Sequence, residues 1–163
     1  MTPVFSFIAY SNTGKTTYLA SLIAALTRRG LRVGALKHDA HEFEIDKPGK
    51  DSWRFGQAGA AVVAVTSATK CAVMDYRSVS FAETLSRIKD VDIIIAEGWH
   101  TEAENAIALY RSGSGKPLKL APEDCVAVVS DVPMETGDTP LFPLDDAEPM
   151  ADFLCARLSE SKN

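Results

Sequence analysis

Apolar and polar positions along the chain change period repeatedly, and the changes mark its elements. Val4 to Ala9 is a short apolar run followed by a small polar turn, which predicts a buried strand. From Lys15 the period becomes helical, with Leu19, Leu22, Ile23 and Leu26 on one side. Arg28 and Arg29 in the last turn and Gly30 just beyond it are helix stop signals. Leu31 to Lys37 reads as a second strand, which makes a βαβ unit and implies parallel pairing with a right-handed crossover. Residues 38–50 are polar and read as loop. Asp51 to Gly59 predicts a short helix, and Ala60–Thr66 and Cys71–Tyr76 predict strands. Ser80 to Glu83 is a capping box that opens another helix. Val91 to Ala96 is almost wholly apolar, as in a strand covered on both faces. Asn105–Arg111 and Pro117–Leu120 read as weaker strands, and Cys125–Val129 as a buried one. Residues 131–143 read mostly as loop. A last helix starts near Asp145 and Asp146 and buries Met150, Phe153, Leu154 and Leu158. Strands alternating with helices predict a three-layer α/β fold: a mostly parallel, twisted sheet with helices on both faces and room for an antiparallel edge.

The 163 residues suit a single domain over 1–158, with 159–163 as a frayed tail. With 17 basic and 22 acidic residues the net charge is −5, which disfavours nucleic acid or anionic membrane as partner. No stretch approaches the roughly 18–20 apolar residues of a membrane span, and the apolar start lacks the basic region of a signal peptide. Cys71, Cys125 and Cys155 form neither a disulfide framework nor a metal spacing, so a reducing cytoplasm is expected. An acidic chain can still bind a highly anionic ligand if the positive charge is local.

The segment Ala9 to Thr17 (AYSNTGKTT) offers such a place. It matches the phosphate-loop pattern Gly-x4-Gly-Lys-Ser/Thr between strand and helix, except that Ala9 replaces the first glycine. Backbone N–H groups there can wrap a phosphate at a helix N-terminus. Ser11, Asn12, Thr13, Gly14, Lys15, Thr16 and Thr17 are therefore the expected nucleotide-binding residues. Lys15 would reach the β- and γ-phosphates and the Thr16 hydroxyl would hold Mg²⁺. Ala9 implies a milder turn or a looser site. Glu97 ends an apolar strand and Gly98 allows a sharp turn after it. A carboxylate there can bind Mg²⁺ or polarise a water, so Glu97 joins Lys15 as a candidate catalytic group and Thr16 as a metal ligand. Asp92, at the start of that strand, is expected at the opposite end of the sheet.

Lys37 ends the second strand, His38 and His41 follow it, and Asp46, Lys47, Lys50 and Asp51 come soon after. Two histidines without a cysteine pair make a poor zinc set. The cluster reads as a substrate or partner site, carried by Lys37, His38, His41, Asp46, Lys50 and Asp51, with His100 the remaining histidine.

Together SNTGKTT, KHDAH, FEIDKPGKDSWRFGQAGA and DIIIAEGWH closely resemble the molybdopterin-guanine dinucleotide biosynthesis protein B (MobB) family over about residues 4–100, with further likeness near Val126–Asp131 and at Pro143-Leu-Asp. The resemblance implies a GTP-binding protein with weak GTPase activity, usually dimeric. It implies work beside the nucleotidyltransferase (MobA-like) that attaches GMP to molybdopterin. Ala9 departs from the family pattern, as does Asp39-Ala40 where a further histidine often precedes His41.

The Asn-Lys-x-Asp base-reading signature of many GTPases is absent. Asp131, after the CVAVV strand, is placed either to accept from guanine N1–H and N2–H₂ or to satisfy its own turn. No arginine finger or water-positioning Gln stands at a diagnostic place, so slow hydrolysis is expected. The competing readings are an ATP-dependent kinase or ligase of the same fold and a non-hydrolysing adaptor. An exposed apolar edge within 105–120 would be a candidate interface.

Overall fold

The computed structural model describes residues 2–38, 43–98 and 105–160. In chain order the elements are β1 (Val4–Ile8), α1 (Lys15–Arg28), β2 (Val33–Lys37), α2 (Asp51–Gln57), β3 (Val62–Thr66), β4 (Cys71–Asp75), α3 (Phe81–Arg87), β5 (Ile93–Glu97), β6 (Ala106–Tyr110), β7 (Ala127–Ser130), β8 (Leu141–Pro143) and α4 (Glu148–Glu160). Short 3₁₀ turns cover Ser112–Ser114 and Pro122–Asp124. The sequence reading placed no boundary inside 1–158, whereas the chain groups into two compact units: Met1–His38 with Ile88–Asn163, and Asp39–Arg87.

The first unit is α/β, with a six-stranded sheet in the order β2-β5-β1-β6-β7-β8. Every pairing in this sheet is parallel. Phe5, Phe7, Ile93, Ile95, Ile107, Leu109, Ala127 and Val129 face one side and pack with Leu22 and Leu26 of α1 and Met150 and Leu154 of α4. The residues between them, Ile8, Ile94, Ala96, Ala108 and Val128, are also buried. This two-sided burial is why the strands read as unbroken apolar runs. Arg29 supports the α1–α4 contact by donating to Glu148 at 2.7 Å and Asp152 at 2.6 Å.

Three sequence expectations need correction. Pro117–Leu120 is not a strand. Pro117, which opens it, and Pro122, just beyond it, each lack the N–H a ladder needs. Leu141–Pro143 lies in the segment read as loop but pairs with β7 at the sheet edge, where a proline is tolerated. Residues 106–110 are not an exposed edge, because β6 lies between β1 and β7 and Ile107 and Ala108 are fully buried.

In the second unit β3 and β4 pair antiparallel, with Val62 opposite Asp75 and Thr66 opposite Cys71. The antiparallel pairing thus forms its own two-stranded sheet instead of an edge of the larger one. Only Val63 of β3 is buried, and Phe43, Ile45, Phe55, Val62, Val65 and Val73 are exposed. Ser80 caps α3 by accepting from the Glu83 N–H at 3.1 Å. The Glu83 side chain does not complete the capping box and accepts instead from Arg77 and Arg87. No described helix is long and apolar enough to cross a membrane.

Candidate functional site

The C-terminal ends of parallel strands are where ligands meet such sheets, and the expected site residues of the first unit gather there. The β1–α1 loop binds to itself before it meets anything else: Thr13, buried, donates its hydroxyl to the Tyr10 carbonyl at 3.0 Å. Asn12 (φ 65°) and Gly14 (φ 85°) adopt left-handed backbone. Alternation of this kind turns successive N–H groups toward one point, a concave anion nest, and it runs directly into the N-terminus of α1. Ala9 is not among the residues of positive φ and is buried in the core, 5% exposed. The glycine it replaces is therefore not required for the backbone here. Asn12 carries the left-handed turn, a conformation asparagine tolerates.

Tyr10 to Thr17 and Glu97 line a cleft of about 320 Å³. Glu97 reaches both predicted partners. Its Oε1 lies 3.4 Å from Lys15 Nζ, and its Oε2 accepts from the Thr16 hydroxyl at 3.4 Å. Lys15 and Glu97 side chains are only 13% and 15% exposed, so their attraction is screened less than that of a surface pair. Register explains the meeting: Phe7 of β1 pairs with Glu97 of β5, and Glu97 pairs with Lys37 of β2. His38 donates its backbone N–H to the Glu97 carbonyl at 2.8 Å. Gly98 (φ 93°) passes so close that an added Cβ would lie 2.5 Å from the His38 carbonyl oxygen, so glycine is needed there on both counts. Asp92 accepts from the Arg32 backbone N–H at 2.8 Å at the opposite end of the sheet, as expected.

Asp131 is committed locally. Its two oxygens accept from the Ser112 N–H at 2.7 Å and the Ser112 hydroxyl at 2.9 Å. The Ser112 N–H, foremost, holds the carboxyl below the usual carboxylate range. Asp46, Lys50 and Asp51 belong to the second unit. Asp46 accepts from the Lys47 N–H at 2.9 Å, while Lys50 and Asp51 line a pocket of about 390 Å³ with Ser52, Phe55 and Val63–Thr66. His41 and His100 lie outside the described residues.

Arg111 is the site residue that sequence reading missed. It follows β6 and donates Nε to the Thr13 carbonyl at 2.8 Å. A Cβ on Gly14 would lie 2.6 Å from its Nη2. The signal available was position: a basic residue directly after the apolar strand AIALY, as Lys37 is the last residue of VGALK. Nearby, Lys116 and Lys119 place their ammonium groups 5.1 and 5.5 Å from the centre of the Tyr10 ring.

The oxygen donors Thr16 and Glu97 suit a hard divalent cation that completes its shell with water and phosphate, and magnesium binds in that manner. Among the described residues no group of three or more His, Cys, Asp or Glu side chains is placed to hold a metal by itself.

Residues 4–131 match the family model MobB, Molybdopterin guanine dinucleotide synthesis protein B. The chain is 40% identical over 162 residues to the molybdopterin-guanine dinucleotide biosynthesis adapter protein of Escherichia coli, covering 94% of this chain and 92% of that one. It is 34% identical over 161 residues to the adapter protein of Haemophilus influenzae, covering 93% and 87%. The crystal structure of Bacillus subtilis MobB superposes with a TM-score of 0.76 at 25% identity, covering 94% of this chain and 96% of that one. The loop, the parallel sheet and these likenesses agree, and the chain belongs to the MobB family.

Proposed function

We propose that this chain binds GTP with Mg²⁺ at the β1–α1 loop and serves molybdopterin guanine dinucleotide biosynthesis as an adapter. The observation that carries the reading is the convergence of the Asn12–Gly14 nest, Lys15, Thr16 and Glu97 at the start of α1. The nest and Lys15 would hold the phosphates. Thr16 and Glu97 would hold Mg²⁺, which supplies charge neutralisation between phosphate oxygens. An arriving phosphate would compete with Glu97 for Lys15, and the carboxylate that Lys15 gives up would then be free to hold the cation. Among the described residues Glu97 is the acidic group that lines the cleft, and it would serve the metal.

The adapter role rests on the names of the E. coli and H. influenzae relatives. Its partner is proposed to be a MobA-like GMP-transferase, with molybdopterin the second ligand and Lys37 and His38 flanking the Glu97 end of the cleft. Asp46, Lys50 and Asp51 of the second unit are proposed for partner or pterin contact, Lys50 and Asp51 from the pocket they line. The exposed apolar side chains of the β3–β4 sheet support a homodimer.

Titration of the chain with Mg²⁺–GTP and Mg²⁺–ATP tests the reading. Lys15→Ala should abolish binding of both, and wild-type affinity in that variant would overturn the site. Rapid turnover with ATP and a small substrate would favour the kinase or ligase reading instead.

A further inference from the structure

The β1–α1 loop is held from both flanks. β1 lies between β5 and β6 in the sheet. On the β5 flank Glu97 meets Lys15 and Thr16. On the β6 flank Arg111 meets Thr13 and Gly14. Arg111 is itself fastened, because its neighbour Ser112 gives both its N–H and its hydroxyl to Asp131 at the end of β7. A line of contacts therefore runs from Asp131 through Ser112 and Arg111 to the Thr13–Gly14 peptide, joining the ends of three adjacent parallel strands.

We propose that Arg111 is a positioning residue of the anion site, fixing the Thr13–Gly14 peptide so that the Gly14 N–H faces the cleft, with Asp131 holding Arg111 in place through Ser112. In a planar trans peptide the C=O and N–H point in opposite directions. Drawing the Thr13 carbonyl toward Arg111 therefore turns the Gly14 N–H away from it. Gly14 has no Cβ and sits at φ 85°, so the backbone has little steric resistance to a peptide flip. A charge-assisted hydrogen bond from the guanidinium supplies the missing restraint. The same absence of Cβ admits the guanidinium, since any larger residue at 14 would overlap it. Nη1 and Nη2 have no hydrogen-bond partner among the described residues, which leaves positive charge beside the loop. In this arrangement Asp131 acts on the loop through Ser112 instead of reading a base.

The proposal rests on the reading of the loop as a phosphate site, and the two are separable by experiment. Amide hydrogen exchange at Gly14 and Lys15 in nucleotide-free full-length protein reads the positioning alone. Titration with Mg²⁺–GTP and Mg²⁺–GDP reads its consequence. Arg111→Gln should speed exchange at these amides and weaken both nucleotides alike by about tenfold, with the melting temperature unchanged. Arg111→Lys, which keeps the charge but not the planar fork, should fall between. Asp131→Ala should follow Arg111→Gln in exchange. Wild-type exchange and affinity in Arg111→Gln would overturn the proposal. If the unaltered protein binds neither nucleotide while Arg111→Gln still speeds exchange, the ligand reading fails and the positioning role stands.

Discussion

Glu97 stands between two demands. It neutralises Lys15 and accepts from Thr16, and both partners would be claimed by a nucleotide and its metal. Removing its charge while keeping its shape should therefore separate metal from phosphate. In Glu97→Gln the gain in GTP affinity conferred by Mg²⁺ should fall about tenfold, the loss of roughly one ionic contact. Binding in the presence of a chelator should hold or improve, because Lys15 is no longer occupied. Titrations with Mg²⁺ and with chelator measure this directly, and an undiminished Mg²⁺ effect would remove Glu97 from the metal site. The same scale settles Ala9. The loop takes its left-handed turns at Asn12 and Gly14, so alanine at position 9 costs the backbone nothing and adds a methyl group to the core.

Among the elements, α1 and α4 are held by two kinds of contact of very different worth. Leu22 and Leu154 are wholly buried against the sheet. Arg28 and Arg29 reach Glu148 and Asp152 on the surface. Truncating Leu22 to Ala leaves a cavity that rigid strands on one side cannot fill, and should cost about 2–5 kcal/mol in denaturant unfolding. Arg29→Ala removes solvent-screened pairs and should change stability far less. Comparable losses in the two variants would mean that the ion pairs carry the helix contact. Leu22→Ala should also loosen the start of α1 and with it the anion nest.

For the whole molecule, both units share one acid-sensitive feature. Asp75, through Arg87, and Glu83, through Arg77, are held below their usual carboxylate range in the second unit. Glu148, through Arg29, is held low in the first. A carboxyl with a depressed folded pKa contributes stability that is complete above its unfolded value, about 4. That contribution is lost as pH falls through the folded value. Unfolding midpoints should therefore be flat from pH 7 to about 5 and drop below about 4. Glu83 and Glu148 reach solvent, so their share of the acid drop should shrink in about 1 M salt. A midpoint that falls between pH 7 and 5 would point to another group.

The sequence by itself determined what depends on neighbours along the chain. Helical period and the Arg-Gly stop placed α1, and unbroken apolar runs placed β1, β5 and β7. The contiguous SNTGKTT placed the anion nest, because nest geometry involves only adjacent peptides. Even Glu97 was legible, since a carboxylate closing an apolar strand must emerge at the end of a parallel sheet. The tertiary structure decided what depends on strand order. Thr16 and Glu97 are 81 positions apart and meet only because β5 lies beside β1. Arg111 and Thr13 are 98 positions apart and meet because β6 takes the other side. Asp131, which the sequence leaves open between a base and its own turn, accepts from Ser112 because the register of β6 with β7 brings the two together. The apolar segment of β3 carried no mark of its partner, and pairing with β4 left most of it exposed. Period and capping are local, whereas which strand neighbours which is settled by packing across the whole sheet.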